Sequence, residues 1–332
     1  MRLEALTQRI VFDKDQATGV ELASGEKLFA SCEVLLCAGA YNSPQLLMLS
    51  GIGPAKVLQQ FNIPAVIVRE QVGQNLQDHA GPPMAWQLKN NQDSLNARLG
   101  VLGLLGSAFR YLFTRKGLLA TPAAAVGIFA RSNPQATRPD LQFHCLALSG
   151  PDSDDDPEIK PDKFPGFTMM PYLMHPQSRG SVSLRTNACG DDPQVITNYF
   201  DCKSDLEAVI SGMKLANQLA ATNPLASAIQ ARVRPLPEVC DEGLAEYARA
   251  HAHTGYHPVG TCRMGADSNA VVDTELRVQG IRGLRVIDAS IMPTVISGNT
   301  NASVIMIAEK AADMIITHMD DANLASQGLD SV

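Results

Sequence analysis

The 332 residues are 45% apolar and 18% charged, which argues against a disordered chain and supplies enough apolar surface for two domains with buried cores. A formal net charge of −7 argues against a nucleic-acid partner, which would need a basic face. Seven cysteines, an odd number with no C-x-x-C pair, indicate neither a disulfide framework nor a zinc ribbon and fit the reducing cytoplasm.

Taken in order, residues 9–12, 20–22 and 33–38 are predicted strands separated by polar turns at 13–19 and 24–25. The continuous apolar run 34–38 predicts a strand covered on both faces. Gly39 ends it; Ser43 is placed to cap a short helix with Pro44 at its first position and Ser50-Gly51 as a left-handed exit. Residues 99–109 form an uncharged run interrupted by three glycines, too short to span a bilayer, and a buried helix of the smaller domain is favoured over one lying on a membrane surface. Any membrane contact is therefore expected to be peripheral, and residues 1–4 lack the apolar core of a signal peptide.

Residues 140–149 alternate as a strand, and 149–164 read as a solvated loop rich in Asp, Pro and Lys. The segments 166–171 and 181–185 are predicted to share one antiparallel sheet, with His175-Pro176 in the bend between them. Apolar residues at 206, 209, 213, 216 and 219 predict a helix with one buried face, and Ser204 with Glu207 reads as its capping box. A further helix over 244–252 leads to His251, His253 and His257. Gly255 and Pro258 break the helix that a metal-binding pair would need, and no carboxylate lies between them, so no metal site is predicted.

The stretch Tyr256-His257-Pro258-Val259-Gly260-Thr261-Cys262-Arg263-Met264-Gly265 holds one histidine on a stiff mount, because Pro258 disfavours helical geometry at His257 and Gly260 and Gly265 permit tight turns. By local chemistry alone a histidine beside proline is more often packed or exposed than catalytic. The turn after residue 38 is a place where a phosphate can approach a helix N-terminus, although ordinary strand-to-helix geometry explains it equally. Asp288-Ala289 follows a short apolar strand, where the Asp can simply cap a turn. Ser297-Gly298-Asn299-Thr300-Asn301 then opens a helix predicted from 303 to about 319, with a tail from 320 to 332 expected to be disordered.

Together these stretches resemble the glucose-methanol-choline (GMC) family of flavin-dependent alcohol oxidoreductases. The segment Gly39-Ala40-Tyr41-Asn42-Ser43-Pro44-Gln45-Leu46-Leu47-Met48-Leu49-Ser50-Gly51-Ile52-Gly53 matches one of its long signatures in residue type. Val72-Gly73-Gln74-Asn75-Leu76-Gln77-Asp78-His79, His175-Pro176-Gln177-Ser178-Arg179-Gly180-Ser181-Val182 and Leu284-Arg285-Val286-Ile287-Asp288-Ala289 follow in the family's order, so the likeness runs from about residue 9 to about 316.

The resemblance implies an α+β / α/β fold: a partial Rossmann-like FAD-binding domain over 1–80 and 255–319, and an antiparallel-sheet substrate domain with helices over 81–254. It implies FAD as cofactor, an alcohol as substrate, as in alcohol and choline dehydrogenases, and oxygen or a quinone as the electron acceptor. It makes His257 the base and Asn299 the second active-site residue, and it places Gly39, Asp288, Ala289, Thr300 and Asn301 against the cofactor. The family's G-x-G-x-x-G turn has no counterpart here, since Gly51-Ile52-Gly53 lacks the third glycine and the Gly100, Gly103, Gly106 series has other spacing. The chain is therefore expected to be the C-terminal part of such an enzyme, with an N-terminal partner polypeptide or a catalytically inactive fragment as the alternatives; a flavin-free binding or metal protein is the remaining class.

Overall fold

The computed structural model describes residues 1–91, 94–122, 124–150, 161–237 and 239–329. Most of the predicted loop 149–164 lies outside these residues. The chain divides into two compact units: unit 1 holds 1–78, 179–198 and 256–332, and unit 2 holds 79–178 and 199–255. Segment 179–198, expected in the substrate domain, thus belongs with unit 1. The cause is backbone pairing, since Leu76 and Gly180 exchange N–H···O bonds of 3.0 and 2.8 Å and the Val182 N–H donates to the Gly73 carbonyl at 2.7 Å.

Unit 1 begins with an antiparallel meander of β1 (Thr7–Asp13), β2 (Gln16–Leu22) and β3 (Lys27–Phe29). Asp13 pairs with Gln16 across a two-residue turn, and Lys14 at φ 56° takes the left-handed conformation such turns require. Strand β4 (Val34–Leu36) pairs in parallel with Leu284–Val286, joining segments some 250 residues apart. Leu36, Leu284 and Val286 face a core with Leu47, Met48, Ile52 and Val272. Leu35 is 47% exposed, so β4 is covered on one face rather than both. Among the described residues no strand pairs with its other edge, and an apolar groove of about 370 Å³ lies along that flank, lined by Leu6, Leu35, Cys37 and Leu46.

Helix α1 spans Gly39–Leu49, longer than the single turn expected, and Ser43 does not cap it. The Ser43 hydroxyl instead accepts from the Ala38 N–H and donates to Asp288, so a tertiary partner occupies the side chain that local sequence assigned to the cap. Gly51 at φ 85° supplies the left-handed exit as expected. The C-terminal helix Asn301–Leu329 continues past 319, which corrects the expected disordered tail as far as Leu329. Residues 320–327 contain neither Gly nor Pro, so nothing in them stops a helix already begun.

Unit 2 is built on a five-stranded antiparallel sheet of β5 (Met84–Leu88), β6 (Ala124–Ala130), β7 (Leu141–Leu146), β8 (Gly166–Leu173) and β9 (Ile229–Arg234), in the spatial order β9-β5-β8-β7-β6. The expected pairing of 166–171 with 181–185 does not form; Ser181–Ser183 pairs with Gln194–Ile196. Helix α2 is Val101–Thr114, α3 is Lys203–Ala220 and α4 is Asp241–Ala250. Leu206, Val209, Met213 and Ala216 of α3 are buried with Trp86, Leu141, Phe143 and Met169 of the sheet, as the helical spacing predicted.

Cys202, not Ser204, precedes the first turn of α3. That turn is fixed by Asp205, whose carboxylate accepts from the Gln177 and Ser178 N–H groups and from the Ser178 hydroxyl at 2.6–3.0 Å. Helix α2 is not buried: Leu102, Leu105, Phe109, Leu112 and Phe113 point outward, and its small and polar side lies against the unit.

Candidate active site

His257 lies on an extended segment that is bonded on both sides within unit 1. On one side Gln77 and Val259 exchange N–H···O bonds of 3.1 and 2.9 Å, and the His257 N–H donates to Asp78 Oδ1 at 3.0 Å. On the other side the Cys262 and Met264 N–H groups donate to the carbonyls of Ser290 and Ile291, both at 2.8 Å. Gly260, at φ 97°, leaves no room for a Cβ, which would sit 2.5 Å from the Asn75 carbonyl oxygen. His257 is 7% exposed, and its segment is tied down by its own N–H to Asp78 and by the bonds of Val259, Cys262 and Met264, which fits the stiff mount predicted from Pro258.

Cys262 is fully enclosed, and burial together with the Asp288 carboxylate pushes its thiol far above the usual range. It therefore cannot serve as a nucleophile near neutral pH. Burial and the Asp78 carboxylate likewise push the Tyr41 phenol up to about 12, so it stays protonated and available as a donor.

Asp288 caps the turn Ala289–Ile291, its Oδ1 accepting from the Ser290 N–H at 2.8 Å. Its Oδ2 accepts from the Gly39 N–H at 3.0 Å and the Ser43 hydroxyl at 2.5 Å. The side chain and the Gly39 N–H are thereby occupied within the protein, which leaves the open side of Gly39 and the backbone at Asp288-Ala289 as the surface that can meet a ligand. A Cβ built on Gly39, at φ 84°, would meet nothing within 4 Å.

Thr300 is buried and its carbonyl accepts from the Val304 N–H at 2.9 Å, while Asn299 and Asn301 are exposed. Val304 and Ile307 of the first helical turns pack on Val259, Met292 and Val295. One small apolar cluster therefore gathers three segments: the strand that carries His257, the turn after Asp288-Ala289 and the helix that follows Asn299. Asp78 and Thr261 are the residues that sequence reading did not single out. Asp78 lay inside a quoted motif, but its partner His257 is 179 residues away.

The formate oxidase of Aspergillus oryzae superposes with a TM-score of 0.87 at 26% identity, over 96% of this chain and 61% of that one. The model of the N-terminal part of GMC oxidoreductases matches residues 1–81, and that of their C-terminal part matches 176–308. An alcohol dehydrogenase [acceptor] of Pseudomonas putida is 38% identical over 97% of this chain and 58% of its own length. An oxygen-dependent choline dehydrogenase of Escherichia coli is 37% identical over 95% of this chain and 56% of its own length. The chain belongs to the GMC oxidoreductase family. It spans less than three fifths of the length of these two relatives.

Proposed function

We propose that this chain carries the catalytic residues of an FAD-dependent oxidoreductase that converts an alcohol to an aldehyde or ketone. The observation that carries the reading is the apolar cluster of Val259, Met292 and Val295, which ties the segment just after His257 to Ala289 and to the first turns of the Asn301–Leu329 helix. The open side of Gly39 and the unpaired N–H groups at the first turn of that helix fit the cofactor. Gly39, Ala289, Thr300 and Asn301 would hold it chiefly through backbone groups. When bound, FAD supplies the acceptor for the hydride that leaves the carbinol carbon.

His257 takes the hydroxyl proton of the alcohol, since a neutral imidazole carries one ring nitrogen that can accept a proton. The Asn299 amide, which cannot act as a base, donates to the substrate oxygen and orients the carbinol carbon. Loss of the proton to His257 and of the hydride from carbon leaves the carbonyl product. The substrate class and the activity follow the alcohol and choline dehydrogenase relatives, and the free thiols support a cytoplasmic setting.

A second reading, that activity requires an additional polypeptide, is favoured by the open edge of β4 and the apolar groove beside it. The deciding experiment incubates the purified chain with FAD, removes the excess and records visible absorbance before and after anaerobic addition of an alcohol. Retained bands that bleach in the wild type but not in His257→Ala support the first reading. Flavin retained only on coexpression with a polypeptide carrying G-x-G-x-x-G supports the second. Retained flavin that bleaches equally in His257→Ala and Asn299→Ala removes both residues from the mechanism.

A further inference from the structure

Helix α2 of unit 2 has its apolar stripe on the outside. Exposure runs from 62% at Leu105 to 85% at Leu102, with Phe109, Leu112 and Phe113 between. These positions share one face at helical spacing, and the Phe109 and Phe113 ring centroids lie 4.6 Å apart along it, tilted by 47°. The half-buried side is made of Gly103, Ser107, Ala108 and Tyr111. A helix that packed for its own burial would be turned the other way. Leu119, in the turn that follows and packs beside the helix, is also more than half exposed, which extends apolar surface beyond the helix.

The charge of the chain that forms and flanks this helix is one-sided. Residues 94–139 carry Arg98, Arg110, Arg115, Lys116, Arg131 and Arg138, all exposed, and no Asp or Glu, in a chain whose net charge is −7. Arg115 closes the helix in the left-handed conformation and lies 5.3 Å over the Tyr111 ring, which sets a cation at the end of the apolar stripe.

We propose that α2 docks unit 2 on the surface of a bilayer rich in anionic lipid. Outward leucines and phenylalanines enter the acyl boundary to a depth of about 5–10 Å, and the surrounding arginines and Lys116 meet the headgroup phosphates. No described helix is long and apolar enough to cross a membrane, and 14 residues of α2 extend only about 21 Å against a hydrocarbon core of about 30 Å. The helix therefore lies in the interface. Charge complementarity selects lipid over a second copy of this chain, because two such faces would oppose like charges.

The test is sedimentation of the full chain with vesicles of phosphatidylglycerol and phosphatidylethanolamine, and with vesicles of phosphatidylcholine alone. Binding to the anionic vesicles, weakened by salt, is expected. Phe109→Glu with Phe113→Glu should abolish it, and Arg110→Gln, Arg115→Gln and Lys116→Gln together should weaken it by about tenfold or more. All five positions are exposed, so the variants keep the fold, which far-UV circular dichroism checks. As a second readout, the emission of Phe109→Trp should shift to the blue on addition of anionic vesicles. No binding to either vesicle, or equal binding to both, overturns the proposal. So does a dimer in sedimentation velocity that Phe109→Glu with Phe113→Glu converts to monomer while vesicles capture neither form.

Discussion

The Thr261 hydroxyl donates to the Ala40 carbonyl at 2.6 Å. Pro44 sits four residues after Ala40 inside α1 and has no N–H to give, so the carbonyl that an uninterrupted helix would pair is satisfied by a residue 221 positions later. The two long motifs are thus joined by a bond that each needs.

Thr261→Val should destabilise unit 1 by about 1–3 kcal/mol, because it leaves a buried carbonyl unpaired. In a Pro44→Ala background the cost should shrink, since that substitution restores a helical N–H donor to the Ala40 carbonyl. Urea denaturation of the four members of the double-mutant cycle reads the coupling. Additive effects would mean that Thr261 acts through some other contact.

Asp288→Ala removes one acceptor from the Gly39 N–H, the Ser43 hydroxyl and the Ser290 N–H together. A loss of about 3 kcal/mol is expected, with a smaller loss for Asp288→Asn, which keeps one acceptor oxygen. Both variants should retain less flavin after desalting, because the Gly39 and Ala289 backbones are set by this carboxylate. Wild-type retention in Asp288→Ala would detach Asp288 from the cofactor surface.

Asp78 touches the backbone of His257 and so acts by positioning. Asp78→Ala is expected to lower kcat by about tenfold to a hundredfold, as a displacement near 1 Å costs, with KM little changed. Asp78→Asn keeps an acceptor and should recover most of the rate. Equal losses in the two variants would point to charge rather than placement.

Burial holds the His144 imidazole of unit 2 below its ordinary 6.5, and the ring is 2.9 Å from the Tyr172 hydroxyl. Between the depressed value and 6.5 the unfolded chain binds more protons than the folded one, so this contribution is complete above pH 6.5 and is lost as pH falls through that window. Melting temperature should decline from pH 7 to 5 less steeply in His144→Gln than in the wild type. Parallel declines would place the acid sensitivity elsewhere.

The sequence by itself carried the family, the motifs and the apolar spacing of α3, because residue type and periodicity are local properties that tertiary packing leaves in place. It placed His257 on a stiff segment through one dipeptide, His257-Pro258. It misassigned Ser43 and Ser204 as caps, because a hydroxyl near a helix start looks the same whether its partner is the next turn or a distant carboxylate such as Asp288. It put segment 179–198 in the wrong unit, since pairing of Gly180 with Leu76 leaves no mark in either stretch. It also turned α2 inward: the stripe of Leu and Phe is legible in the chain, but which side of a helix meets protein is set by the surface beneath it. That surface, the Asp78–His257 contact and the Thr261–Ala40 bond were decided only when the chain closed on itself.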